Sequence, residues 1–114
     1  MTTTTQPLVS ILTFVYNRKD LLIPCLESAL AQTVQDFELI LVDNASTDGT
    51  WEICQEFARK DSRIRIFRNE TNLGPVRNWI RSIEEARGKY AKVLLSDDLI
   101  SPTFLEKTLP YLEN

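Results

Sequence analysis

Apolar runs alternate with polar, turn-forming stretches along this chain of 114 residues, and the spacing of the apolar positions changes period from one run to the next. Residues 8–15 (Leu-Val-Ser-Ile-Leu-Thr-Phe-Val) are apolar and rich in β-branched side chains, which predicts a buried strand ending at Tyr16-Asn17. Leu22, Cys25, Leu26, Ala29 and Leu30 then recur at helical spacing. Asn17 is placed to cap that helix, and Asp20 falls in its first turn, where the dipole favours an acid. Residues 37–42 predict a second buried strand, and the polar cluster 43–49 leads into a helix with Trp51, Cys54, Phe57 and Ala58 on one face. Arg63-Ile64-Arg65-Ile66 alternates basic and apolar, which predicts a third strand with one wet face, near a sheet edge.

Residues 69–74 carry loop chemistry. Pro75 suits the first helical position ahead of Val76, Trp79, Ile80 and Ile83, with Gly88 closing the helix. Residues 90–95 form the fourth predicted strand. A last helix starts at Ser101-Pro102, carries Phe104, Leu105 and Leu109, and is disturbed at Pro110. The order βαβαβαβα implies one domain over residues 7–114 behind a flexible arm at 1–6. Its architecture is α/β, a three-layer α/β/α arrangement on a mainly parallel sheet with right-handed crossovers. Ligands of such sheets bind beyond the carboxyl ends of the strands. Three of the four predicted strand exits here carry conspicuous polar residues: 13–17, 43–49 and 96–98.

Composition narrows the chemistry. A hydrophobic share of 43% suffices for a core. No stretch reaches the roughly 18 to 20 apolar residues of a membrane span, and residues 1–7 lack the pattern of a signal peptide. The expected location is therefore cytoplasmic, with a peripheral role at a membrane left to sequence outside this chain. A formal charge of −3 gives no general attraction to nucleic acid. The chain has no histidine, which removes Ser-His-Asp and Cys-His catalysis and His-ligated zinc or haem. Cys25 and Cys54 lie far apart within helical apolar patterns, so they read as buried free thiols.

What remains is carboxylates, a metal ion and backbone dipoles. Asp97 and Asp98 stand side by side at the fourth exit, where a divalent cation or a solvent shell must compensate two adjacent anions. Mn²⁺ or Mg²⁺ suits such oxygen donors and takes one or two carboxylates together with phosphates. The first exit offers Thr13, Phe14, Tyr16 and Asn17, a flat apolar surface with hydroxyl and amide groups that could lodge a heterocyclic base. Asp43 could accept a hydrogen bond from an imide or a ribose hydroxyl. Arg77 lies near a helix N-terminus, where an anionic partner would offset an unfavourable dipole. Each has a plainer reading: a core Phe14, a capping Asn17 or Asp43, a surface Arg77, a solvated Asp-Asp turn. No Gly-rich phosphate loop is present, since glycine occurs only at 49, 74 and 88.

Taken in order, these stretches resemble the nucleotide-sugar-binding half of a family 2 glycosyltransferase with the Rossmann-like GT-A fold. The likeness runs through residues 9–18 with their Tyr-Asn ending, the helix segment 25–33, the block 37–50, the Asn72-Leu73-Gly74 and Arg77-Asn78 elements, and residues 94–102. The family usually carries Asp-Asp-Gly-Ser where Asp43-Asn44-Ala45-Ser46 stands here. The resemblance implies strand order 3-2-1-4 and a metal-assisted transfer from a nucleotide-diphosphate sugar, a UDP-sugar by preference, to a saccharide or other hydroxyl acceptor. It also implies that Thr13, Tyr16 and Asp43 contact the base, Arg77 holds the nucleotide, Asp97 sits nearer the ribose or sugar, and Asp98 is the metal ligand. Leu95 departs from the family's frequent Asp-x-Asp-Asp, which shifts metal ligation towards Asp98. Family members continue into an acceptor-binding half that holds the catalytic base, and no acid in this chain takes that role. Two other readings compete: a non-catalytic nucleotide-binding or assembly module with some self-association, and a receiver-like phosphoacceptor domain. The latter lacks acids after the first strand and a lysine-bearing fifth strand.

Overall fold

The computed structural model describes residues 6–113, and most of the expected N-terminal arm lies outside them. Among the described residues, four strands and four helices alternate: β1 (Val9–Val15), α1 (Lys19–Leu30), β2 (Phe37–Asp43), α2 (Thr50–Lys60), β3 (Ile64–Arg68), α3 (Pro75–Glu85), β4 (Tyr90–Val93) and α4 (Phe104–Glu113). The sheet is all parallel in the order β3-β2-β1-β4. Register pairs Val9 with Phe37 and Val15 with Asp43, so β1 and β2 end level with each other. β3 lies at an edge, as its alternating pattern predicts.

The sheet's two faces are covered differently. On one, Ile11, Val15, Leu39 and Leu41 pack against Leu22, Cys25 and Leu26 of α1, Cys54 of α2 and Leu105 of α4. Both cysteines are free and buried. On the other, Leu12, Ile40 and Val42 form a smaller cluster with Phe67, Ala86 and Val93, and α3 lies across it. These helices on both sides make the three-layer arrangement. No helix among the described residues is long and apolar enough to cross a membrane.

Several boundaries differ from the pattern-based expectation. β4 stops at Val93 rather than residue 95; Leu94 N–H still reaches Leu12 O at 2.8 Å, and the chain then turns, with Asp98 N–H bonded to Leu95 O at 3.0 Å. α3 ends at Glu85, and Gly88 does not close it. A Cβ on Gly88 would stand 2.6 Å from Ser10 N, so glycine is needed there because the chain passes tightly against β1. α4 begins at Phe104, two residues after Pro102, and runs on through Pro110 with the loss of one intrahelical bond. Arg18, not Asn17, is the N-cap position of α1; Asn17 has φ 50° and turns its side chain elsewhere. An amphipathic helix ordinarily turns its apolar stripe inward. α3 does the reverse: Val76 (63% exposed), Trp79, Ile80 and Ile83 face out, while Asn78 and Ser82 are buried against the sheet.

Candidate functional site

The carboxyl ends of β1, β2 and β4 lie at one end of the sheet, and an open cleft of about 240 Å³ sits there. Phe14, Tyr16 and Arg18 from the β1 exit, Leu95, Ser96 and Asp97 from the turn after β4, and Pro75 and Asn78 from α3 line it. A larger hollow of about 480 Å³ lies between the C-terminal ends of α1 and α2. That is the opposite end of the sheet, away from where parallel α/β folds bind ligands.

Each predicted residue has a definite place. Phe14, Tyr16 and Asp97 come together in the cleft, with Tyr16 about half exposed (43%). Thr13 and Asp43 lie fully buried beneath the surface, outside the cleft lining. Asp43 Oδ2 accepts from Ser46 N–H at 3.0 Å and pairs with Arg68 Nε at 3.3 Å. Asp43 Oδ1 and Thr13 Oγ1 have no hydrogen-bond partner, and no other buried side-chain oxygen or nitrogen among the described residues shares that state. A buried polar atom left unpaired costs about 1–3 kcal/mol, so Thr13 near the end of β1 and Asp43 at the end of β2 are the two places where the buried polar groups of the sheet are not balanced.

Asn17 does not enter the cleft. Its Oδ1 accepts from Thr47 N–H at 2.8 Å, and its own N–H donates to Ser46 Oγ at 2.9 Å. Arg18 N–H donates to Thr50 Oγ1 and Lys19 N–H to Asp48 Oδ2. The loop before α2 thus caps α1 and ties the first two exits together. Arg77 on α3 and Asp98 in the turn after β4 are both exposed, and neither lines the cleft.

The Asp97-Asp98 turn is anchored from below by α1. Cys25 Sγ lies 3.5 Å from Leu95 O, and Ser28 Oγ accepts from Ile100 N–H at 3.1 Å. Burial, then the charges of Asp98 and Asp97, push the Cys25 thiol up to about 12, so it stays protonated and inert. Among the described residues neither carboxylate is in an ion pair, and no three His, Cys, Asp or Glu side chains cluster tightly enough to hold a metal alone. Two exposed, unpaired carboxylates on one turn fit a hard divalent cation whose remaining ligands are phosphate oxygens and water.

Sequence reasoning missed three residues. Arg68 holds Asp43, donates to Ser46 O at 2.9 Å and stacks on Trp51. Arg18 and Asn78 line the cleft. Arg68 breaks the alternation of Arg63-Ile64-Arg65-Ile66, so that pattern gives no sign of it, and nothing periodic marks Asn78.

The family model for Glycosyl transferase family 2 matches residues 10–114. This chain belongs to that family. Among family 2 relatives, the glycosyltransferase GlyG of Streptococcus pneumoniae serotype 4 is 36% identical over 99 residues, covering 87% of this chain and 33% of that protein. The S. aureus TarS fragment 1–349 in complex with UDP-GlcNAc superposes with a TM-score of 0.86 at 26% identity, over 93% of this chain and 31% of that one. The mannosyltransferase PcManGT from Pyrobaculum calidifontis, in complex with GDP-Man and Mn²⁺, shares the fold with a TM-score of 0.85 at 22% identity, over 97% of this chain and 34% of that one. These neighbours confirm the GT-A-type sheet with order 3-2-1-4. The chain spans about a third of the length of the curated relatives it matches.

Proposed function

We propose that residues 7–114 form the donor-binding domain of a glycosyltransferase that moves a sugar from a nucleotide-diphosphate sugar, preferably a UDP-sugar, to an acceptor hydroxyl. The observation that carries this reading is the pair of unpartnered buried atoms, Thr13 Oγ1 near the end of β1 and Asp43 Oδ1 at the end of β2, on the same face of adjacent strands. A pyrimidine imide N–H matches a carboxylate acceptor, and Tyr16 at the β1 exit offers a flat face for the ring, while Phe14 lines the cleft from the α3 side of the sheet. Because Asp43 is fully covered, the base reaches it only if the loop that carries Ser46 and Thr47, held by Asn17 and Arg68, gives way. TarS, at 26% identity, is the relative whose bound UDP-GlcNAc supports a uridine donor.

Arg77 then holds the nucleotide, Asp97 lies towards the ribose or sugar, and Asp98 is the main metal ligand. A divalent cation there would supply Lewis-acid stabilisation of the charge that develops on the departing diphosphate. In the transfer, the acceptor oxygen bonds to the anomeric carbon as the bond from that carbon to the diphosphate oxygen breaks. The acceptor proton passes to a carboxylate base, a role we assign to the family's acceptor-binding half. Calorimetry with UDP and Mn²⁺ tests this. We expect binding that Asp98→Ala weakens only when Mn²⁺ is present; folded protein that takes no UDP at millimolar concentration overturns the reading.

The exposed stripe Val76, Trp79, Ile80 and Ile83 favours a second reading, an assembly module. Concentration-dependent sedimentation without UDP binding would select it.

A further inference from the structure

The cleft at the strand exits holds two charged side chains of opposite sign. Among the described residues, Asp97 is the acid in its lining and Arg18 the base, and the other lining groups are neutral. Arg18 reaches the cleft from the end of β1 and Asp97 from the turn after β4, and β1 and β4 are paired neighbours in the sheet. Arg18 is exposed and takes part in no ion pair among the described residues. Lys19, Arg77, Lys92 and Lys107 are also without an ion pair, yet none of them lines the cleft.

The backbone of Arg18 is fixed on both sides. Its N–H donates to Thr50 Oγ1 at 3.0 Å, and its carbonyl accepts from Leu21 N–H at 3.1 Å and Leu22 N–H at 2.9 Å. Arg18 stands at the N-cap position of α1, where its side chain makes no capping bond. That position favours Ser, Thr, Asp or Asn, and the helix dipole there disfavours a cation. The guanidinium does nothing for α1, whereas an anion in the cleft would turn its local cost into a contact.

A donor of the class proposed above brings an anionic diphosphate, with one charge on each phosphate. A divalent cation on the Asp97-Asp98 turn is already matched by two carboxylates, so the phosphate charges still lack a counterpart. No Gly-rich loop supplies backbone donors in its place, since glycine occurs only at 49, 74 and 88. A guanidinium meets both needs, with a permanent charge and a planar fork that takes two phosphate oxygens at once.

We propose that Arg18 binds the donor's diphosphate from the β1 wall of the cleft and supplies the positive charge that the acidic turn and its cation together do not. This rests on the donor-site reading above and deepens it by naming the residue that meets the phosphates. Arg77, outside the lining, is left for the remainder of the nucleotide. Charge grows on the diphosphate as its bond to the sugar breaks, and a cation held by a fixed backbone offsets it.

Calorimetry with UDP, uridine and inorganic pyrophosphate tests this on wild type, Arg18→Gln, Arg18→Lys and Lys19→Gln, the pyrophosphate titrations being run without metal. Arg18→Gln should lower the affinity for UDP and for pyrophosphate about tenfold and leave that for uridine unchanged. Arg18→Lys should recover part of the loss, because it keeps the charge without the fork. Lys19→Gln removes a neighbouring charge outside the lining and should cost less than about twofold. The melting temperature of Arg18→Gln should match wild type, since the bonds at this position are made by the backbone. Full UDP affinity in Arg18→Gln, or an equal loss for UDP and uridine, overturns the proposal. Wild-type protein that binds neither UDP nor uridine overturns the donor-site reading instead, and pyrophosphate then decides the role of Arg18 alone. Pyrophosphate binding that Arg18→Gln weakens upholds that role; binding that it leaves unchanged, or no binding to wild type, ends it.

Discussion

The two faces of the sheet hold their helices by different means. Against α1, α2 and α4 the strands present Ile11, Val15, Leu39 and Leu41, and the contact is apolar except where Thr13 and Asp43 share that face near the strand exits. Against α3 only Leu12, Ile40 and Val42 form a small apolar centre, with polar clamps at either end. At the strand exits the clamp is a network of buried asparagines, in which Asn69 Nδ2 donates to Asn44 Oδ1 and to Asn78 Oδ1, each at 2.9 Å. At the other end Glu38, 3% exposed, takes Ser10 Oγ at 2.6 Å, Arg87 N–H at 2.7 Å and both Arg65 and Arg87 side chains, while Arg65 also donates to Glu85 O at the end of α3. One face supplies cohesion; the other supplies placement, next to the cleft, and leaves the apolar stripe of α3 outside.

The largest expected effect lies on the apolar face. Leu39→Ala should cost about 3 kcal/mol of stability, read as a lowered urea midpoint, because it empties volume that nothing else fills. A loss below about 1 kcal/mol would put the cohesion elsewhere.

Glu38→Gln should cost about 2 kcal/mol at neutral pH by weakening charge-assisted bonds. Burial alone would raise the Glu38 carboxyl above its usual value of 4.5, but the bonds from Ser10, Arg87 and Arg65 outweigh it and hold the carboxyl below that value. A depressed carboxyl stabilises the fold fully above its unfolded value and loses that contribution as the pH falls through the folded value. The gap between wild type and Glu38→Gln should therefore be widest above about pH 4.5 and close on acidification below it. A gap that persists in acid contradicts the clamp.

Ala45 has φ 64° in the loop over Asp43, a left-handed conformation that costs a residue with a Cβ about 1 kcal/mol. Ala45→Gly should raise the melting temperature by a few degrees, corresponding to about 1 kcal/mol. No gain would mean that the loop relaxes without it. Smallest of all should be Ile83→Ser on the outer stripe, within about 0.5 kcal/mol. A cost of about 2 kcal/mol would show that the stripe is packed.

The apolar face was legible in the sequence almost residue by residue: Leu22, Cys25, Leu26 and Ala29 recur at helical spacing and all are buried. α3 was legible only as a helix. Periodicity finds a stripe at 76, 79, 80 and 83 but carries no sign for which way it turns, and the burial of Asn78 and Ser82 depends on polar partners contributed by other elements. The same limit applies at the site. Tyr16 and Asp97 follow obvious strands and line the cleft, and Asp43 ends β2, but Arg68 matters only because register sets it beside Asp43. Asn17 looked like a cap and instead braces the loop before α2 through Thr47. β4 was overrun because Leu94 and Leu95 are as apolar as the strand before them, although the ladder ends at Val93.

The central claim is that a pyrimidine base completes Asp43 Oδ1, the one oxygen of that carboxylate without a partner, and comparing UDP with its N3-methyl analogue by calorimetry, on wild type and on Asp43→Asn, tests it most directly. Methylation removes the imide N–H and leaves the sugar and diphosphate untouched. The account predicts affinity for the methylated ligand about tenfold lower on wild type, with the two ligands drawing level on Asp43→Asn. Equal affinity for both ligands on wild type would contradict it.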